Sequence, residues 1–146
     1  MIKPLAGCLT ALTLLTAPVA NAETLLLSVQ GIASEQGQVV VQVYDNSQHW
    51  MSAKANEMVL QHIVPAAQVK ANPQLALPLA YGSYAIQVFH DLDSNGKLKT
   101  NFIGIPREPI GTSNNAKGKM GPPKFEDAKF VFDADNTEHA LNIVNI

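Results

Sequence analysis

The chain has 146 residues, of which 47% are hydrophobic and only 15% charged, with a mean hydropathy of +0.05 and a formal net charge of −2. One domain of ordinary size fits that length, and a chain so apolar and weakly charged is excluded from the disordered class. The near-neutral balance also excludes the broad positive field of a nucleic-acid binder, so no nucleic-acid partner is expected.

Met1–Ala22 carries the three parts of a secretory signal peptide: Lys3 near the start, an apolar run from Leu5 to Val19, and the small-x-small site Ala20-Asn21-Ala22. Cleavage is expected after Ala22, leaving 23–146 as one periplasmic or secreted domain. The apolar run is shorter than the ~20 residues that span a bilayer, so no membrane span is expected after cleavage. Leu5-Ala6-Gly7-Cys8 matches a lipobox, but the apolar run follows the cysteine, whereas a lipoprotein signal places it before. Losing Cys8 removes the only cysteine, so the mature chain has neither a disulfide nor a thiol nucleophile and must rely on its core.

Beyond the leader the hydrophobic pattern has period 2. Leu25, Leu27 and Val29 alternate, as do Val39, Val41 and Val43 after the turn signal Glu35-Gln36-Gly37, which reads as a hairpin of the first two strands. Trp50 to Met58 has room for a helical turn or two. Val59 to Val64 and Val69 are weaker strand candidates, and Gln74 to Leu79 alternates again. Ser83 to His90 is the strongest, with Tyr84, Ile86 and Val88 on one face and Ala85, Gln87 and Phe89 on the other. Ala128, Phe130 and Phe132, then Leu141 and Ile143, complete about seven strands, the count of an all-β Ig-like Greek-key sandwich.

One segment breaks the pattern. Thr100 to Phe125 holds four glycines and four prolines, longer than the ~12–15 residues usual for a structureless connection. Phe102, Ile103, Ile105, Ile110, Met120 and Phe125 are spaced along it as anchors, so it is expected to be ordered and packed on the sandwich.

The runs His90-Asp91-Leu92-Asp93-Ser94-Asn95-Gly96-Lys97-Leu98, Thr100-Asn101-Phe102-Ile103-Gly104-Ile105-Pro106, Ser113-Asn114-Asn115-Ala116 and Gly121-Pro122-Pro123-Lys124-Phe125-Glu126-Asp127-Ala128 resemble the exported bacterial family catalogued as domain of unknown function 2141. The resemblance covers most of the mature chain and implies an extracytoplasmic, transthyretin-like β-sandwich, without implying an activity. Leu79-Ala80-Tyr81-Gly82-Ser83-Tyr84 fits that fold, because a glycine two residues before a strand-opening tyrosine resembles the tyrosine corner of Greek-key sandwiches. One transthyretin-like group hydrolyses a purine-breakdown intermediate and is marked by a Tyr-Arg-Gly-Ser terminus. Here the chain ends Asn142-Ile143-Val144-Asn145-Ile146, a departure from that mark, so that activity is not expected.

Asp91-Leu92-Asp93-Ser94-Asn95-Gly96 has the D-x-D-x-N-G spacing of calcium loops. Asp91, Asp93 and Asn95 would converge on one hard cation, Lys97 would add its carbonyl, and Gly96 would allow the sharp turn. Lys99 and Phe102 stand where an EF-hand continues its ligands, so a bound Ca²⁺ would be weakly held. The alternative is a rigid connection built from Asx-turns. The four histidines have no zinc spacing.

Three further features bear on function. His90 beside Asp91 is the seed of a small periplasmic hydrolase, although no nucleophile elbow accompanies it. Arg107, Ser113, Asn114, Asn115 and Lys117 make a cationic, donor-rich stretch suited to an anion, or alternatively a solvated loop. Trp50 is either a sugar-stacking platform or packing. The expected role is an exported, non-catalytic binding or structural module, its partner a small anionic or carbohydrate ligand or an envelope protein. The alternative is the hydrolase around His90 and Asp91.

Overall fold

The computed structural model describes residues 22–146. The leader and the Cys8 lipobox fall outside the described residues, apart from Ala22. Eight strands follow in chain order: β1 (Glu23–Gln30), β2 (Gln38–Tyr44), β3 (Leu60–Pro65), β4 (Gln74–Leu79), β5 (Gly82–Asp91), β6 (Ile110–Thr112), β7 (Phe130–Phe132) and β8 (Glu138–Asn142). Two short helices, α1 (Ala66–Ala71) and α2 (Phe125–Ala128), sit between strands, and Val69 is buried in α1 rather than in a strand. Among the described residues no helix is long and apolar enough to cross a membrane.

The strands form two sheets, one of three in the order β4-β1-β8 and one of five in the order β3-β2-β5-β6, with β7 also paired to β5. The chain is an all-β sandwich. Leu25, Leu27 and Val29 from one sheet meet Val39, Val41, Val43, Ile86 and Val88 from the other in a single core, as the period-2 pattern requires when one face of each sheet is apolar. Tyr84 closes the corner, its hydroxyl donating to the Ala80 carbonyl at 2.7 Å.

Two expectations are corrected. β1 and β2 are not a hairpin: β1 pairs antiparallel with β4 and parallel with β8, while β2 pairs with β3 and β5. Both strands point their apolar faces at the same core, and a hairpin would have set them side by side in one layer. The Gly31–Gly37 connection crosses between layers instead.

The second correction concerns the anchors of the long segment. It is ordered and contributes β6, a 3-10 turn at Ser113–Asn115 and the start of α2. Only Ile110 and Phe125 of its six apolar residues are buried, however, whereas Phe102 is 98% and Met120 102% exposed.

What the segment covers is the outer face of the five-stranded sheet. Val40, Phe89 and Ile110 form one cluster there, and Tyr44, Ala85, Phe125 and Ala128 form another with Trp50 packed against it. Trp50 meets Tyr44 edge-on at 5.4 Å and Phe125 at 6.1 Å, and its Nε1 donates to the Pro123 carbonyl at 2.8 Å. Trp50 is therefore packing that ties the end of the segment to the sheet.

Candidate functional site

Asp91 ends β5 on the covered face and is fully buried. Its Oδ2 accepts from Gln38 Nε2 at 2.8 Å and from the Gly96 amide at 2.7 Å, and its Oδ1 accepts from the Asn95 amide at 3.3 Å. Asn95 Oδ1 in turn accepts from the Lys97 amide at 2.9 Å. Ser94 and Gly96 take left-handed backbone, with φ of 53° and 78°. These are the nested Asx-turns expected of a rigid connection.

The sequence did not single out Glu108. This residue is 4% exposed, and its carboxylate spans the base of the segment: Oε2 accepts from the Leu92 amide at 2.7 Å and Oε1 from the Lys99 amide at 2.8 Å. Asp91, Asp93 and Glu108 each offer an oxygen, all within 4.8 Å of one another. Among the described residues the ion pairs are Lys54–Glu57 and Lys129–Glu126, so no basic side chain pairs with either buried carboxylate. Oxygen-only donors of this kind suit a hard cation such as Ca²⁺.

His90 and Asp91 do not form a pair. Consecutive strand residues point to opposite faces, so His90 lies on the sandwich side, 1% exposed, with Nε2 at 2.6 Å from the Gln36 carbonyl, while Asp91 faces the segment.

The donor-rich stretch is spent largely on holding the fold. The Ser113 hydroxyl donates to the Ala128 carbonyl at 2.5 Å and accepts from the Ile86 amide at 2.9 Å, filling the gap between β6 and β7 along β5. Asn114, at φ 59°, donates from Nδ2 to the Asp127 and Lys129 carbonyls, and Asn115 Oδ1 accepts from the Asn142 amide. Asn115 and Lys117 line a cleft of about 860 Å³ between the segment and the sheet, whereas Arg107, Ser113 and Asn114 lie outside it. Leu98, Ile103, Ile105, Ile110 and Val144 supply its apolar walls, and Gln87 of β5 also lines it.

His139 fastens the far side. Its ring stacks on Phe130 at 4.1 Å, its Nε2 accepts from the Asn114 amide at 3.1 Å, and burial holds its pKa below the ordinary 6.5. The folded state thus needs the neutral ring, and the unfolded chain takes up the proton first. Stability from this group is full above the ordinary value and falls as the pH drops through it toward the folded value. Melting temperature is expected to decline between about pH 7 and 5, and His139→Gln is expected to flatten that decline. An unchanged slope in the variant would exclude His139 as the source.

No curated protein and no solved structure matches the chain. The family model described as "uncharacterized protein conserved in bacteria (DUF2141)" matches residues 27–140, from β1 through the covered sheet and its segment into β8. The chain belongs to that bacterial family.

Proposed function

We propose that the mature chain is a non-catalytic binding module of the bacterial cell envelope, in which a calcium ion held by Asp91, Asp93 and Glu108 fixes the long segment on the sheet. The observation that carries this is the burial of two carboxylates, Asp91 and Glu108, within 4.8 Å of each other and with no basic partner among the described residues. Two such charges repel by on the order of 3 kcal/mol at an effective dielectric of about 20. A divalent cation turns that repulsion into attraction.

Each ionised carboxylate has about four acceptor positions, and backbone and Gln38 donors take three on Asp91 and two on Glu108. Lone pairs therefore remain for the ion, with the Lys97 carbonyl and Asn95 Oδ1 as neutral ligands. The absence of a full EF-hand set places the affinity in the weak range of extracellular modules, with Kd about 10⁻⁴–10⁻³ M.

Export is supported by the three-part leader, and the transthyretin-like type by the Tyr84 corner and the stacked sheets. A binding role is supported by the cleft beneath the segment.

The test uses chain recovered from the periplasm, with an intact mass that starts at Glu23. Raising calcium from EDTA conditions to about 10 mM should stabilise it by up to about 2.7 kcal/mol, the value for a hundredfold excess over Kd. Magnesium should do less, since it resists dehydration in a site of this kind. Asp93→Ala, an exposed position with one long hydrogen bond of 3.4 Å, should shrink the calcium shift without unfolding the protein. A retained leader would sink the envelope assignment, and a melting temperature indifferent to calcium would sink the cation.

A further inference from the structure

We propose that the cleft takes a hydroxylated fatty acid, with its aliphatic body between Ile103, Ile105 and Ile110, its hydroxyl on the Gln87 amide and its carboxylate at Lys117. This names the ligand class for the binding role above and rests on that reading.

The first observation is the cleft itself. Its volume of about 860 Å³ is that of a small-molecule site, and its lip leaves Ile103 65% and Ile105 42% exposed to solvent. Large aliphatic side chains held in water at the mouth of a concave surface gain by covering an apolar ligand.

The second, independent observation is an orphaned polar atom. Gln87 is 3% exposed, and its Oε1 is buried with no hydrogen-bond partner. An unmet buried acceptor costs about 1–3 kcal/mol, and folded proteins rarely leave one.

Gln87 ends a polar belt that crosses the covered face. Its Nε2 donates to Gln42 Oε1 at 3.3 Å, and Gln42 Nε2 donates to Gln61 Oε1 at 3.3 Å. Tyr44 Oη lies 3.2 Å from Gln42 Oε1 and 2.7 Å from the Ser52 carbonyl, yet it has one proton to give. Burial pushes the Tyr44 phenol up, so that proton stays on. Turning the Gln61, Gln42 and Gln87 amides over together reverses the belt, letting Gln61 donate to Gln42 and Gln42 donate to both Tyr44 Oη and Gln87 Oε1. Gln87 Nε2 then becomes the free end. In either sense one atom of Gln87 is left over on the side away from Gln42, an acceptor in the first and a donor in the second. A hydroxyl answers both, because it donates and accepts.

The third observation is charge. Lys117 lines the cleft and also an adjoining hollow of about 630 Å³, which Lys119 and Lys124 share with Asp127 as its one acidic residue. A carboxylate at this mouth meets an excess of ammonium groups while remaining partly hydrated, whereas in the apolar part of the cleft it would lose its hydration.

Trp50 provides the readout. It is the only tryptophan, and it donates to the carbonyl of Pro123, which lines the cleft. The full mature chain is titrated with ω-hydroxydecanoate, decanoate and 1-decanol, each below its micelle concentration, by Trp50 emission and by calorimetry. ω-Hydroxydecanoate is expected to bind about tenfold or more tighter than either comparison compound. Gln87→Leu should erase its advantage over decanoate, and Lys117→Gln its advantage over decanol at low salt. Ile103→Ser, at an exposed position, should weaken all three.

Equal affinities for the three compounds, or a hydroxyl advantage that survives Gln87→Leu, would overturn the proposal. So would a dimer that Ile103→Ser dissociates in a chain that binds none of them, since the lip would then be an interface between copies. Titrations in calcium and in EDTA separate this proposal from the cation. Lost binding with the calcium shift retained removes the ligand class alone, and a missing calcium shift with binding retained removes only the ion.

Discussion

Asp91→Ala is expected to destabilise the protein by about 3–5 kcal/mol in EDTA, where no cation contributes. The carboxylate is fully buried and accepts from Gln38 Nε2 and from the amides of Gly96 and Asn95. Bonds to a charged acceptor contribute about 1.5–3 kcal/mol each, and truncation leaves donors without partners in a covered site. Relief of the repulsion from Glu108 offsets part of that loss, which keeps the total below the simple sum. Asp91→Asn should fall between, at about 1–3 kcal/mol. Its one carbonyl oxygen, set in the place of Oδ2, keeps Gln38 and Gly96 but without the full charge, and its NH₂ group is turned toward the Asn95 amide, which loses its acceptor. Urea unfolding measures both variants. An Asp91→Ala midpoint matching the wild type at equal slope would mean that the loop is anchored elsewhere and that the carboxylate is incidental.

The sandwich was legible because β1, β2, β4 and β5 each carry apolar residues at every second position, and a period of 2 can be read from neighbouring residues alone. Sheet membership was not, because whether β1 lies beside β2 or across the core from it is decided by residues far away in sequence, including β8, which joins β1 in parallel from the end of the chain. A signal for the covered face did exist. Val39, Val40 and Val41 on β2, with Phe89 beside Val88 on β5, put apolar groups on both faces of adjacent strands, the mark of a sheet buried on both sides. Gln42 and Gln87 masked it, since polar residues in an alternating strand read as solvent-facing.

At the site, the Asp91–Gly96 turn was legible because its donors and acceptors lie within five residues of one another. Glu108 was not. Its partners are the amides of Leu92 and Lys99, 16 and 9 positions away, and a backbone donor leaves no trace in residue identity. In a stretch rich in proline and glycine, a lone glutamate reads as a solvated charge. The same distinction explains the exposed lip. The segment is pinned at Glu108, Ile110, Ser113 and Phe125, and the stretches before the first pin and between the last two hold the exposed Phe102, Ile103 and Met120. Local opening is least costly where buried contacts are few, so the rim of the cleft is the part of the fold best able to adjust to an occupant while the sheet beneath stays fixed.

Gly37→Ala tests whether that fixed floor depends on one close backbone approach. Gly37 precedes β2 at φ 73°, and a Cβ there would stand 2.2 Å from the Asp91 carbonyl oxygen and 2.8 Å from that of Leu92. Either β2 or the start of the Asp91 turn has to move, which disturbs the Gln38–Asp91 bond and the Ala66 amide bond to the Gly37 carbonyl. Backbone strain and overpacking each cost about 1–3 kcal/mol, so a loss of about 3–5 kcal/mol is expected, together with a weakened calcium shift. Gly96→Ala isolates the first contribution. Its φ is 78°, nearly the same, but nothing lies within 4 Å of the added Cβ, so only the left-handed conformation is penalised, at about 1–2 kcal/mol. Denaturant midpoints for the two variants should therefore differ by about 2 kcal/mol or more. Equal losses would mean that the strand and the turn slide past the new methyl group, and the site would then be held less tightly than the packing at Gly37 implies.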